Sequence, residues 1–232
     1  YGSDVNTPIN LKNEKTIFSD ESTIETAYQY AYEKGNQKLI DANMVGIPLD
    51  TEVKKDGKTI SKAETKYDNP VNLLPSSVLS YNMQSNTPST EVTYDIYDGK
   101  RNLIQYTTKA GVSTSIIWGY NQTQPIAKIE GAKLSDITQT LINSIVNASD
   151  DTNANYSEST LLNQLDAFRI ALPNFQISTY TYKPLIGVTT ITPPSGIREY
   201  YFYDTANRLE SVKTNENGVL TTLKEYQYHY KP

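Results

Sequence analysis

Short runs of alternating apolar and polar residues, broken by turn signals, fill most of the chain and predict β-strands. Two such runs, at 48–54 and 59–67, flank Asp56 and Gly57, a dipeptide that supplies the positive φ angles of a tight hairpin turn. A further strand is expected at 76–83. The pattern therefore favours a mainly β, antiparallel fold made of strands and hairpins.

The hydrophobic period changes from that of a strand to that of a helix in the middle of the chain. Leu, Ile and Val recur at helical spacing over 134–146 and again over 161–172. A polar stretch at 150–155 separates the two runs, and Pro173 ends the second because proline cannot continue a helix. We predict an inserted helical hairpin at about 133–172, laid over an open sheet edge or one end of a barrel.

Two segments of the chain repeat the same order of features. Each has a strand with aromatic residues at alternate positions, the pair Tyr-Asp, a short turn, a leucine, a second strand and a glycine turn. The defining residues are Tyr97, Asp98, Leu103 and Gly111 in the first segment and Tyr203, Asp204, Asn207, Arg208, Leu209 and Gly218 in the second. Alternate tyrosines place their rings on one face of a strand, and the aspartate can accept backbone N–H groups in the turn that follows. Each segment is thus a hairpin-like unit that buries its aromatic face by stacking on a neighbour.

Residues 201–209, YFYDTANRL, resemble the YD repeats of Rhs-type bacterial proteins, whose units run Tyr-x-Tyr-Asp-x-x-Gly-Arg-Leu. Asn207 stands at the family glycine, and asparagine is the next-best residue for a left-handed backbone. Arg101 stands at that position in the first segment, and residues 67–73 resemble a decayed third copy. The resemblance implies a long β-sheet that spirals into a hollow shell. In relatives this shell encloses a toxic C-terminal domain or presents a surface for carbohydrate or cell contact.

The resemblance further implies an exported bacterial protein, secreted or on the cell surface, of which this chain is a part. We expect one continuous β-domain with four parts: an N-terminal β segment (1–90), a first YD-like unit (91–130), the helical insertion (131–173) and a second YD-like unit (174–232). The expected role is that of a structural, non-catalytic repeat module, and the alternative is a carbohydrate- or cell-surface-binding module. The expected partners are further repeats or domains of the parent chain, and also glycans or a cell surface.

Composition and charge narrow the classes of partner. Tyrosine dominates the aromatic residues, with 19 against 4 Phe and 1 Trp, which suits strands whose rings pack while their hydroxyls stay wet. A net charge of −5, with Lys and Arg scattered singly, disfavours nucleic acid as a partner. No apolar run approaches the ~20 residues that a membrane helix needs. The chain has no cysteine, which excludes disulfides and thiolate metal sites.

Catalytic chemistry has little support in the sequence. With His229 as the single histidine and no cysteine, nucleophilic triads and histidine-rich zinc sites are disfavoured. A glycosidase needs two carboxylates ~5 Å or ~6.5–9.5 Å apart, a pairing that sequence alone cannot establish. Asp98 and Asp204 are better explained as turn acceptors. We therefore predict no catalytic residues and no cofactor, and rank a carboxylate-dependent hydrolase last.

Two aromatic residues at alternate positions, Trp118 and Tyr120, are the candidates for a sugar-binding platform. Rings spaced in this way also pack within a sheet, and that alternative is the more common use.

The polar stretch between the two helical runs offers a calcium candidate. Asp151, Asn153 and Asn155 match the first three ligand positions of an EF-hand loop. Tyr156 then stands where the loop needs Gly, and Leu162 where it needs a bidentate Glu. We therefore predict a solvated helix connection here and no metal site.

Overall fold

The computed structural model of the chain describes residues 10–151, 157–216 and 218–228. Within these residues it has fourteen β-strands and three α-helices, and the prediction of a mainly β, antiparallel fold is confirmed. The strands are β1 (Asn13–Ile17), β2 (Thr23–Gln29), β3 (Asp50–Lys55), β4 (Lys58–Lys66), β5 (Ser77–Tyr81), β6 (Pro88–Tyr97), β7 (Leu103–Thr108), β8 (Ser113–Gly119), β9 (Gln124–Glu130), β10 (Gln176–Lys183), β11 (Gly187–Thr192), β12 (Glu199–Tyr203), β13 (Leu209–Glu216) and β14 (Val219–Glu225). The helices are α1 (Gln37–Asp41), α2 (Gln139–Asp150) and α3 (Glu158–Ala171).

The chain is organised in two compact units. The N-terminal unit comprises the residues up to Asp95 together with Thr107–Gly111. The C-terminal unit comprises Ile96–Tyr106 and the residues from Val112 onward. The division therefore runs through β6 and β7.

In the N-terminal unit the strands β1 to β6 pair antiparallel in sequence order. Asp56 and Gly57 form the turn between β3 and β4 with φ angles of 50° and 76°, as predicted for this hairpin. Asp56 also accepts a hydrogen bond from the backbone N–H of Thr23 at 2.7 Å, which ties the turn to β2. A small apolar core beside α1 is formed by Ala31, Leu39, Leu49 and Tyr67.

In the C-terminal unit the strands β8 to β14 also pair antiparallel in sequence order. The strands β9 and β10 are direct neighbours, with Glu130 opposite Gln176, although residues 131–175 lie between them in the chain. Those residues contain α2 and α3. The predicted helical hairpin is therefore confirmed, and it is inserted between two paired strands.

The first helix of the hairpin begins later than its apolar spacing predicts. Leu134–Asp136 forms a 3₁₀ turn and Ile137 is extended, with φ of −110°, so α2 begins at Gln139. Ile137 is nevertheless buried. Its position in the apolar pattern reflects packing in the core and not a helical conformation.

The hairpin packs on one face of the sheet at β8, β9 and β10 rather than over the open edge or barrel end that was expected. The buried side chains at this contact include Ile117, Ile126, Ile129, Ile145, Leu161, Leu165, Phe168 and Ile177. Burying each such side chain contributes about 1.5–3 kcal/mol. This layer is the main apolar core of the C-terminal unit.

Polar contacts also attach α3 to the sheet beneath it. Glu158, in the first turn of α3, accepts a hydrogen bond from the Thr181 hydroxyl at 2.6 Å. Arg169 donates to the backbone carbonyl of Pro193 at 2.9 Å and to that of Ile177. The hairpin is thus held by directed bonds as well as by its apolar face.

Candidate functional site

The Tyr-Asp pair of the first repeat segment ends β6 and opens a closed turn. Asp98 Oδ1 accepts the backbone N–H groups of Lys100 and Asn102, both at 2.8 Å. The Asp98 N–H donates to the Asn102 carbonyl at 2.9 Å, and the Arg101 N–H donates to the Asp98 carbonyl at 3.0 Å. Arg101 has φ of 70°, so it occupies the left-handed region that favours glycine.

The second repeat segment forms the same turn after β12. Asp204 Oδ1 accepts the backbone N–H groups of Ala206 at 2.8 Å and Arg208 at 2.9 Å. The Asp204 N–H donates to the Arg208 carbonyl, and the Asn207 N–H donates to the Asp204 carbonyl, both at 2.9 Å. Asn207 has φ of 60°. The two turns therefore share their hydrogen-bond pattern and their left-handed position.

The fourth residue after each aspartate adds a side-chain bond that the sequence did not reveal. Asn102 Nδ2 donates to Asp98 Oδ2 at 3.0 Å, and Arg208 Nε donates to Asp204 Oδ2 at 2.8 Å. Hydrogen bonds from the backbone and side chain of Arg208 lower the pKa of Asp204 below its ordinary value. Asn and Arg are chemically different, so only the geometry shows that they fill one role.

The tyrosine of the second segment packs closely against β11. The Tyr203 hydroxyl donates to the Val188 carbonyl at 2.9 Å, and burial raises the pKa of Tyr203. A Cβ atom at Gly187 would lie 2.9 Å from Tyr203 Cζ, so a larger residue there has to displace the Tyr203 ring. Leu209 lies opposite Tyr203 on β13. In the first segment, Tyr97 is half-buried at the end of β6.

The other residues that define the two segments take positions in strands and turns. Leu103 begins β7 and is half-buried. Gly111 and Gly218 have φ angles of 78° and 85°, which a residue with a Cβ rarely adopts. The Gly111 N–H donates to the Thr108 carbonyl at 2.8 Å, and the Gly218 N–H donates to Asn215 Oδ1 at 2.8 Å.

Residues 67–73, which resemble a third copy in sequence, form a different connection. None of these seven residues, all of which are described, has a positive φ. The side chains of this segment that accept backbone N–H groups are those of Asn69, from Val71 at 2.9 Å, and Asn72, from Leu74 at 3.0 Å. Lys38 Nζ donates to three carbonyls of the segment, those of Tyr67, Asn69 and Asn72. The resemblance therefore does not extend to the turn geometry.

The two aromatic residues of the sugar-binding hypothesis line separate hollows. Trp118 lies in β8, donates its Nε1–H to the Leu103 carbonyl at 3.0 Å and lines a cavity of about 270 Å³ beside α2. Tyr120 follows the end of β8 with φ of 51° and packs against Tyr182 at the other hollow. The structure does not join the two rings in one platform, and sugar binding stays a prediction.

Of the calcium candidates, Asp151 is described, whereas Asn153 and Asn155 lie outside the described residues, as does His229. In the part of the chain that the structure describes, no three His, Cys, Asp or Glu side chains are grouped so that they could hold a metal ion. A search of the same residues for a helix with the length and apolar character of a membrane span finds none.

A network of buried charges lies between β3 and β4. Asp50 and Glu64 are cross-strand partners, and each side chain is 4% exposed. Lys34 Nζ lies 2.7 Å from Glu64 and 3.4 Å from Asp50, and Lys66 Nζ lies 3.0 Å from Glu64. The Tyr81 hydroxyl donates to Glu64 Oε2 at 2.6 Å.

The network fixes the charge state of Glu64. Burial alone would raise the pKa of Glu64, but hydrogen bonds from Lys34, Tyr81 and Lys66 outweigh it and hold the pKa at about 2. The bond to Glu64 in turn raises the pKa of Tyr81 to about 12. A glycosidase acid must donate a proton near its working pH, and a carboxylate held ionised in this way is poorly suited to that task.

Comparison of the chain with known proteins identifies structural neighbours only. No protein family and no curated protein matches the sequence. The chain is similar to part of the TcdB2-TccC3-Cdc42 crystal structure, with a TM-score of 0.44 and 13% identity over 89% of this chain. Similar values apply to TcdB2-TccC3 without its hypervariable C-terminal region (TM-score 0.43, 13%) and to a Photorhabdus luminescens Tc holotoxin pore (0.40, 13%). In each case the chain spans 11% of the matched chain.

Proposed function

We propose that this chain is a structural, non-catalytic module of an exported bacterial YD-repeat protein, where it forms part of a β-shell or surface scaffold. The single observation that carries the proposal is the identity of the two aspartate turns. Asp98 and Asp204 each use Oδ1 to accept the backbone N–H groups of the second and fourth residues that follow. In both turns the third residue after the aspartate has a left-handed backbone. Repeated units of one geometry are what a stacked architecture requires.

The use of the acidic side chains supports a structural role. Asp98 and Asp204 satisfy turn backbone, while Glu64 is engaged by two lysines and a tyrosine. Among the described residues, every buried side-chain nitrogen and oxygen has a hydrogen-bond partner. Full pairing of this kind is expected where polar side chains serve the fold.

The last described strand supports further repeats of the parent chain as partners. All seven residues of β14 are exposed, including Val219, Leu220 and Leu223. Among the described strands β14 pairs with β13 alone, and a strand with exposed apolar side chains and such an edge is suited to pair with another strand. As a part of an exported protein, the module would act outside the cytoplasm, in secreted or surface-bound form.

A turn exchange tests whether the two segments are equivalent units. The first turn is given the sequence of the second by Gly99→Thr, Lys100→Ala, Arg101→Asn and Asn102→Arg in the full chain. Equivalent turns predict that the exchange lowers the unfolding free energy in urea by no more than the two hydrogen bonds it removes, from Lys100 and Asn102 to the carbonyls of Asn121 and Gln122, about 1 kcal/mol each. No new strain is expected, because Asn replaces Arg at the left-handed position.

The matched control introduces the same four residues but swaps the positions of Thr and Asn. It carries Gly99→Asn, Lys100→Ala, Arg101→Thr and Asn102→Arg. It forces a β-branched residue into the left-handed region and should cost about 1–2 kcal/mol more than the exchange. If the exchange and its control destabilise the chain equally, the two turns are not interchangeable and the repeat-module proposal fails.

A further inference from the structure

Three consecutive residues between β8 and β9 hold a left-handed backbone. Tyr120, Asn121 and Gln122 have φ angles of 51°, 57° and 61°. A residue with a Cβ loses roughly 1–2 kcal/mol in this region, so the surrounding structure must hold the turn in place. Asn102 Nδ2 donates to the Gln122 carbonyl at 2.9 Å, and the Asn121 N–H donates to Asp150 Oδ1 at 2.7 Å.

The strained turn places Tyr120 in the wall of a hollow of about 340 Å³. Its ring stands perpendicular to that of Tyr182, with an interplanar angle of 89° and 5.7 Å between centroids. The Tyr120 hydroxyl accepts the backbone N–H of Tyr182 at 2.9 Å, which fixes the Tyr120 ring. The described residues that line the hollow are Tyr120, Asn121, Thr123, Ser149, Asp150, Asp151, Tyr182 and Pro184. Its size lies in the range of small-molecule sites.

The charged side chains that line the hollow are acidic, while Lys100 donates from Nζ to the backbone carbonyl of the lining residue Asn121. Asp150 and Asp151 contribute two carboxylates, and none of the described lining residues is a lysine or an arginine. Asp150 uses Oδ1 for the Asn121 N–H, and its Oδ2 has no hydrogen-bond partner among the described residues. The hollow therefore combines aromatic walls with negative charge.

We propose that this hollow binds a small organic cation with a trimethylammonium-type head group. Tyrosine rings attract a weakly hydrated cation, and aromatic walls of this kind are the usual receptors for quaternary ammonium groups. The carboxylate of Asp150, which also lines the hollow, adds Coulomb attraction for a cation. A neutral sugar could stack on the rings and donate its hydroxyls to the carboxylate, but it carries no net charge for the carboxylate to attract. This site goes beyond the structural role and does not depend on it.

Choline is the probe for the full chain, and 3,3-dimethylbutan-1-ol, its uncharged analogue of the same shape, is the matched ligand. We expect saturable amide shifts at Asn121 and Lys183 in an NMR titration with choline, and none with the alcohol. Asp150→Asn keeps an acceptor for the turn while removing the charge, and Tyr182→Leu removes one wall. Each should weaken choline binding by about fivefold or more.

Tyr180→Leu, a change on the same strand outside the lining residues, is the control and should leave choline binding unchanged. Circular dichroism and urea unfolding identify any variant that fails to fold. The proposal is overturned if choline and the alcohol bind equally or not at all, if Asp150→Asn binds choline as the unmodified chain does, or if only a neutral sugar such as maltose produces the shifts.

Discussion

Glu64 offers the sharpest test of the energetics, because its carboxylate is buried, ionised and engaged on both oxygens. Glu64→Gln keeps the shape of the side chain and removes the charge that Lys34 and Lys66 share. A folded-state pKa of about 2 against an ordinary value of 4.5 corresponds to about 3 kcal/mol of stability at neutral pH, at about 1.4 kcal/mol per pH unit. We expect Glu64→Gln to lose about that amount at pH 7.

The pH dependence gives the sign of the effect. Because the pKa of Glu64 is lower in the folded than in the unfolded state, its stabilisation is complete above about pH 5 and is lost as the pH falls toward 2. The difference in unfolding free energy between the unmodified chain and Glu64→Gln should therefore shrink over that interval. Urea unfolding at pH 7, 5, 4 and 2.5, followed by tyrosine fluorescence, measures it.

Glu91 provides the matched control, since it also pairs with a lysine, Lys109 at 2.8 Å, but its side chain is 39% exposed. Glu91→Gln should change stability far less than Glu64→Gln at every pH, because water screens an exposed pair. A difference below about 1 kcal/mol for Glu64→Gln at pH 7, or one that does not change between pH 7 and pH 3, would refute the assignment of a buried, pKa-shifted carboxylate.

Two further predictions concern the repeat segments. Asp98→Ala and Asp204→Ala should lower the urea midpoint of unfolding to a similar extent. Asp98→Asn and Asp204→Asn should lower it less, because the amide oxygen still accepts the turn N–H groups. A lower midpoint for one of the two Ala variants alone would contradict the shared geometry. Gly187→Ala should destabilise the chain by about 1–3 kcal/mol, because its Cβ meets the ring of Tyr203. Adding Tyr203→Phe to Gly187→Ala should restore part of the lost stability in the same measurement, since the phenolic oxygen contributes to the clash. If the double variant is no more stable than Gly187→Ala, the clash with Tyr203 is not the cause of the loss.

Much of the secondary structure was predictable from local pattern. The Asp56-Gly57 turn and its flanking strands follow from alternation and turn chemistry, which act within a few residues. The helical hairpin was also predictable, but its start was not. Ile137 continues the apolar spacing while lying in an extended segment, because burial and helical conformation need not coincide.

The remaining features depend on contacts between residues distant in sequence. The bond from Tyr182 to Tyr120 exists because β9 and β10 pair across the whole helical insertion. The bonds of Lys34 to Glu64 likewise require the register of β3 and β4 and the position of the turn between β2 and α1 that contains Lys34. Periodicity identifies strands but does not show which side chains they bring together, so the charged network and the aromatic hollow could not be predicted.

The insertion between β9 and β10 shows how such a sheet can gain new parts during evolution. Both ends of the inserted segment leave from adjacent strands, about 5 Å apart, so the ladder of backbone bonds stays continuous. The entropy of closing such a loop grows only with the logarithm of its length. Any small domain with neighbouring termini could be accepted at a hairpin tip in the same way, and the sheet can diversify at its rim without changing the order of its strands.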